Sequence, residues 1–99
     1  MQKQVLTLTT ADNIKRIALD GPHQLEVGGT FGSGTVTPYG YSEEIGKGAQ
    51  LQLDGSAYST TAADSLTCSA AYSQWELTGS SGATVTLVFT PIKQGTINA

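Results

Sequence analysis

The chain has 99 residues, a length that makes one domain, residues 1–99, with a modest core of its own. Hydrophobic residues make up 38% and charged residues only 13%, about half the usual charged share, with Thr, Ser and Gly filling the difference. A net charge of −3, with five Lys and Arg in all, argues against nucleic acid as a partner, and no apolar run approaches the roughly 20 residues of a membrane-crossing helix.

Met1 to Leu6 lacks the apolar stretch of a signal peptide, and Cys68 is the only cysteine, so folding in a reducing cytoplasm is expected. Gln4 to Thr10 alternates Leu6 and Leu8 against Val5, Thr7 and Thr9, which predicts a first strand. Ala11-Asp12-Asn13 is a turn. Ile14 to Asp20 reads as a strand, with a helical turn as the alternative, and Gly21-Pro22 punctuates it. Gln24 to Phe31 is a third strand, followed by a Gly32-Ser33-Gly34 turn. Thr35 to Tyr41 is a fourth; because proline has no N–H for a central ladder, Pro38 predicts an edge position or a bulge there.

Ser42 to Gly48 reads as a loop carrying Glu43-Glu44, and Gln50 to Leu53 as a short strand ended by the turn signal Asp54-Gly55. Tyr58 to Ala63 is a loop or irregular strand, and Ser65 to Ala70 sets Leu66 and Cys68 on one face. The strongest pattern runs from Gln74 to Ile92. Trp75 and Leu77, then Val85, Leu87 and Phe89, alternate with Thr78, Thr84, Thr86 and Thr90 around Gly79-Ser80-Ser81-Gly82, which predicts one hairpin with a dry side and a wet side. Gln94 to Ala99 is a tail in which Ile97 could dock on a neighbour. About eight short strands with turn signals every eight to twelve residues predict an all-β fold, a single antiparallel β-sandwich of jelly-roll or Ig-like type.

Residue chemistry offers no reaction. With one His and one Cys, and acids scattered along the chain, there is no metal-ligand spacing and no cofactor motif, so neither a metal nor a cofactor is expected. His23 follows Gly21-Pro22 and reads as a surface or interface histidine, and Cys68 as a buried inert thiol. Gly28 to Gly34 is glycine-rich but has neither the lysine nor the following helix of a phosphate cradle. Tyr39, Tyr41, Tyr58, Tyr72 and Trp75 are the aromatic residues that could serve a glycan-binding module, though in a small β domain such residues more often finish a core or fill an interface.

Two segments carry a resemblance. Leu25-Glu26-Val27-Gly28-Gly29-Thr30-Phe31-Gly32-Ser33-Gly34-Thr35-Val36-Thr37 resembles a recurring L-E-V-x-G-T-F-G-G-x-T-V-T segment. Trp75-Glu76-Leu77-Thr78-Gly79 through Ala83-Thr84-Val85-Thr86-Leu87 is similar to a closing Y-R-L-x-L-T-G-A-T-x-x-x-V-T pair. Both are found in small β-sandwich virion structural proteins of tailed bacteriophages, and the likeness covers residues 24–37 and 72–90. Where that family often has a D-G-x-x-W loop, this chain has Glu43-Glu44-Ile45-Gly46-Lys47-Gly48.

The resemblance implies a non-enzymatic protein of the virion, a capsid decoration (cement) protein or a tail or head-fibre accessory. Its partner would be the major capsid protein or another virion protein, and it would act as a homo-oligomer, a trimer at local three-fold positions being favoured. Such proteins work by contact, through strand edges and termini, so Val5 and Leu6 in the first strand, Tyr39 and Tyr41 in the fourth, and Ile97 in the tail are the candidate interface residues.

Overall fold

The computed structural model describes residues 3–92. Ten strands cross them: β1 (Gln4–Thr9), β2 (Ile14–Ala18), β3 (His23–Thr30), β4 (Thr35–Ser42), β5 (Gly46–Gln50), β6 (Gln52–Leu53), β7 (Ser56–Ala57), β8 (Asp64–Cys68), β9 (Tyr72–Thr78) and β10 (Thr84–Pro91). Residues 14–18 take the extended form, because Ile17 is then carried inward to 5% exposure while Lys15 and Arg16 stay nearer the surface.

Two four-stranded sheets, in the orders β1-β10-β3-β8 and β2-β9-β4-β5, face each other, and β6 and β7 make a two-stranded hairpin of their own. Every neighbouring pair is antiparallel. Among the eight strands of the large sheets, the first pairs with the last (β1·β10), the second with the seventh (β2·β9), the third with the sixth (β3·β8), and the fourth with the fifth (β4·β5). That is one long antiparallel ribbon, doubled back between β4 and β5, then rolled so that successive rungs fall in opposite sheets. Rolling brings β10 against β3 and β9 against β4, which closes both sheets. The chain is a jelly roll.

The roll corrects the strongest expectation from the sequence. Residues 74–92 do not form a hairpin: β9 lies in one sheet and β10 in the other, joined by a corner at residues 79–83. An alternating strand looks the same whether its dry side lies beside its neighbour's or opposite it. Here Trp75 and Leu77 face Val85, Leu87 and Phe89 across the gap of about 10 Å between packed sheets. Gly79 (φ 70°) and Gly82 (φ 62°) hold the left-handed turns of that corner.

The corner rests on the glycine-rich link between β3 and β4. Gly32 (φ 56°) and Ser33 (φ 65°) form a tight turn closed by the Gly34 N–H donating to the Phe31 carbonyl at 2.8 Å. The Ser81 N–H in turn donates to the Gly32 carbonyl at 3.0 Å. A Cβ on Gly32 would run into the Ser81 carbonyl, and one on Gly29 (φ 116°) into the Thr84 carbonyl. The two corners therefore touch backbone to backbone.

Three other expectations change. The segment read as a loop at 42–48 is a tight β4–β5 hairpin, with β5 beginning at Gly46. β4 is an inner strand, between β9 and β5, and the bulge falls between Tyr39 and Tyr41 rather than at Pro38. Pro38 is tolerated because β5 ends opposite Tyr39 and the proline nitrogen faces away from β9. Val36, two residues earlier, turns its N–H the same way, to the Thr60 carbonyl at 2.9 Å. His23 is a core residue at 1% exposure: β3 is an inner strand, and the pairing of His23 with Cys68 points both side chains inward. The Asp54-Gly55 turn holds, with positive φ at both residues closing the β6–β7 hairpin.

Trp75 is at the centre of the core. It is fully buried, meets Phe89 edge-to-face at 5.8 Å and Tyr58 at 6.4 Å, and its indole N–H donates to the Ser73 hydroxyl at 2.9 Å. Burying a ring of its size contributes on the order of 4 kcal/mol.

Substitution at the corner separates packing from flexibility. Gly32→Ala should lower unfolding free energy by about 2–4 kcal/mol, from the clash plus left-handed strain. Gly28→Ala, with nothing within 4 Å of the added carbon, should change it by less than about 1 kcal/mol. Urea denaturation of both variants measures the difference.

Candidate functional site

The sandwich has two outer faces, and their chemistry differs. On the second sheet, alternation sends Arg16 of β2, Tyr72, Gln74 and Glu76 of β9, and Tyr39 and Tyr41 of β4 outward, with Lys47 of β5 beside them. These side chains satisfy one another. Arg16 Nε donates to Gln74 Oε1 at 2.8 Å, and Gln74 Nε2 donates to Glu76 Oε2 at 2.7 Å. Glu76 Oε2 also accepts from Lys47 Nζ at 3.2 Å, and the Glu76 side chain is only 12% exposed. The Arg16 guanidinium lies 3.9 Å from the Tyr41 ring centroid and Lys47 Nζ lies 4.5 Å from that of Tyr39, while Tyr41 meets Tyr72 edge-on at 5.2 Å.

The outer face of the first sheet has the opposite character. It carries Val5, Thr7 and Thr9 of β1, Thr84, Thr86, Val88 and Thr90 of β10, Gln24, Glu26, Gly28 and Thr30 of β3, and Ser65 and Thr67 of β8. Glu26 is the one charged residue on these four strands' outward positions. It is tied down: the Ser65 hydroxyl donates to Glu26 Oε2 at 2.8 Å and accepts from Gln24 Nε2 at 2.8 Å. The rest is a lattice of threonine hydroxyls and methyls around a Val5–Val88 cross-strand pair. This charge-poor face, with the β1 edge that borders it, is the candidate site.

Of the residues singled out in the sequence, Val5 lies on this face at 52% exposure, whereas Leu6 turns inward and packs half-buried against the core. Tyr39 and Tyr41 sit together on the other sheet under their cations, so the structure does not bring them near Val5. Ile97 lies outside the described residues. Trp75, a candidate for glycan stacking, is fully buried, and Tyr58 is 9% exposed, which removes both from any sugar platform. The face formed by Thr7, Thr86 and their neighbours was visible in the sequence only as the wet side of separate strands; its continuity depends on β1 pairing with β10.

Reactive groups are kept inside. Burial pushes the Cys68 thiol above its ordinary pKa, only partly offset by the Ala70 backbone N–H. His23 Nδ1 donates to the Gly21 carbonyl at 2.9 Å. The Tyr58 hydroxyl donates to Asp64 Oδ2 at 2.8 Å, and desolvation together with that carboxylate raises its pKa well above the usual phenol value. Among the described residues no group of three or more His, Cys, Asp or Glu is placed to hold a metal ion, and no helix is long and apolar enough to cross a membrane.

No family model, curated protein or solved structure matches this chain. The expected likeness of residues 24–37 and 72–90 to phage virion proteins finds no match in these comparisons. Those two segments cover most of the inner strands β3, β9 and β10, the start of β4, and the two corners that touch.

The raised Tyr58 value has a consequence for alkaline stability. Above pH about 10 the unfolded chain releases the phenolic proton and the folded chain keeps it, so stability present below pH 10 is lost as pH rises. Tyr58→Phe should make denaturant midpoints less steeply dependent on pH above 10 than they are in the wild type. A second check is thiol labelling, in which Cys68 should react with an aromatic disulfide reagent only after unfolding.

Proposed function

We propose that this protein is a virion structural protein of a tailed bacteriophage, a capsid decoration protein that binds the head shell in many copies and stabilises it. The observation that carries this reading is the Thr/Ser face of the first sheet, whose one charged residue, Glu26, is tied to Ser65. A surface with so little charge is poorly suited to a protein alone in solution but well suited to one that hydrogen-bonds to a repeating partner surface. Each contact can be weak, because repetition over a lattice supplies avidity.

The jelly roll agrees with this reading without deciding it, since that fold also serves lectins and cupins. The sequence resemblance supplies the choice among them. In this reading the partner is the major capsid protein, the seat is the virion exterior, and the copies act as a homo-oligomer, a trimer where local three-fold positions receive it. A tail or head-fibre accessory differs from it by copy number. A glycan-binding module is disfavoured by the buried Trp75 and by the cations seated on Tyr39 and Tyr41.

Electron microscopy of the purified virion tests the proposal. Density for this sandwich on the shell, at a copy number comparable to that of the capsid protein, is expected. Density confined to the tail would move the role there, and none on the particle would end it. Replacing Thr86 and Thr67 together by Glu, two outward positions that do not pair with each other, should weaken binding to purified heads at least tenfold while leaving the fold intact, as sedimentation with heads would measure.

A further inference from the structure

The four sheet edges are β1, β8, β2 and β5, and three of them are guarded. β5 carries Lys47 and pairs through a bulge, β2 carries Lys15 and Arg16, and β8 opens on Asp64. β1, which reads Gln-Val-Leu-Thr-Leu-Thr, has no charge, no proline and no bulge. Natural edge strands are rarely left so open.

The hydrogen-bonding phase of this edge can be read from the ladders. The Ile92 N–H donates to the Pro22 carbonyl at 3.1 Å, so the even-numbered residues of β10 bond towards β3 and its odd-numbered residues towards β1. In the β1·β10 register those odd residues face even ones, Leu6 opposite Leu87 and Leu8 opposite Val85. The backbone groups of Val5, Thr7 and Thr9 therefore point out of the sheet. Thr9 agrees with this: its N–H donates to the Asp12 carbonyl at 3.0 Å. Among the described residues nothing bonds to the outward backbone groups of Val5 and Thr7.

We propose that this edge pairs with the β1 edge of a second copy of the chain, antiparallel about a two-fold axis through Leu6. In that register Val5 of each copy faces Thr7 of the other, and the two residues exchange both backbone hydrogen bonds on either side of the axis. Leu6 faces Leu6 as a close, non-hydrogen-bonded pair, covering the part of its side chain that the monomer leaves open. The ladder stops at Thr9, whose N–H is already used. Charge fits as well. Lys3, exposed, falls opposite Thr9 of the other copy, beside Asp12, which is bonded to Thr9 through backbone and hydroxyl. The Asp12 side chain is 65% exposed and already pairs with Lys15 of its own chain at 3.1 Å, so Lys3 would join an existing ion pair. Two such Lys3–Asp12 approaches form per dimer. The two first sheets become one eight-stranded sheet, and their hydroxyl faces become continuous.

The dimer is proposed for the free chain in solution and differs from the trimer that the virion reading places on the shell; that reading stands or falls on the particle. A ladder this short buries less than the roughly 800 Å² per partner of a standard interface, so the dimer should dissociate on dilution. Analytical ultracentrifugation of the full chain over a wide concentration range should show the mass doubling. Val5→Pro and Thr7→Pro remove only outward N–H groups, so each should stay monomeric with an unchanged β-sheet circular dichroism spectrum. Thr7→Lys, which keeps every backbone donor, should weaken the dimer at least tenfold. Leu6→Cys should give a covalent dimer on mild oxidation, whereas Val5→Cys, facing Thr7, should not. A monomer at all concentrations, a trimer, or a dimer indifferent to Val5→Pro would overturn the proposal. So would slow hydrogen exchange of the Val5 and Thr7 amides in the dilute monomer, since the chain would then be covering this edge itself.

Discussion

Trp75 enters the space between the sheets from the middle of β9 and meets Phe89, from β10 in the facing sheet, edge-on at 5.8 Å. Their contact fixes the spacing at which the remaining inward side chains, Leu8, Leu25, Val36, Leu77, Val85 and Leu87, can interdigitate. The corner between β9 and β10 has to span that spacing within a few residues, which is why it needs left-handed glycines and support from the β3–β4 turn beneath it. Core, corner and glycine-rich link are thus one constraint expressed at three places.

The alternation of Leu6 with Val5, or of Val85 with Thr84, was legible from single residues, because strand pleating imposes a period of two whatever the partner. So were the tight turns at Asp54-Gly55 and Gly32-Ser33, where positive φ selects the residues. Pairing was not legible in the same way. The Gln74–Ile92 stretch has the pattern of a hairpin, and only the presence of β4 and β3 to receive its two arms shows that each arm belongs to a different sheet. His23 was misplaced for the same reason: Gly21-Pro22 announces a turn, but the burial of the ring follows from β8 and β10 lying on both sides of β3. The cluster joining Arg16, Gln74, Glu76 and Lys47 draws on three strands and three separate stretches of chain, so no local window contains it.

The two outer faces divide the work that a small sandwich has to do. One face ties its charges to its tyrosines and amides, which holds β2, β9, β4 and β5 in register through side chains as well as backbone. The other has only the Gln24–Ser65–Glu26 chain and the Thr9 hydroxyl, which accepts from the Asp12 N–H, as side-chain hydrogen bonds, and it borders the open strand. The candidate site is legible in the sequence as composition, being rich in threonine and poor in charge. Its extent is legible only in the fold, since Thr7 and Thr86 become neighbours through the pairing of the first strand with the last.

That pairing also governs how the domain comes into being. Residues 4–9 find their intrachain partner only at residues 84–89, so the first sheet stays incomplete while the chain is being synthesised. Even β3 and β8 cannot be zipped into a finished sheet until β10 arrives to lie between β3 and β1. A topology with so few sequence-local strand pairs belongs among slow, late-folding chains, which carry sticky unmatched strands for longer than helical proteins of the same size. A sparse apolar content and a coat of hydroxyls are a sensible composition for a polypeptide that must wait so long, uncollapsed, for its own final segment.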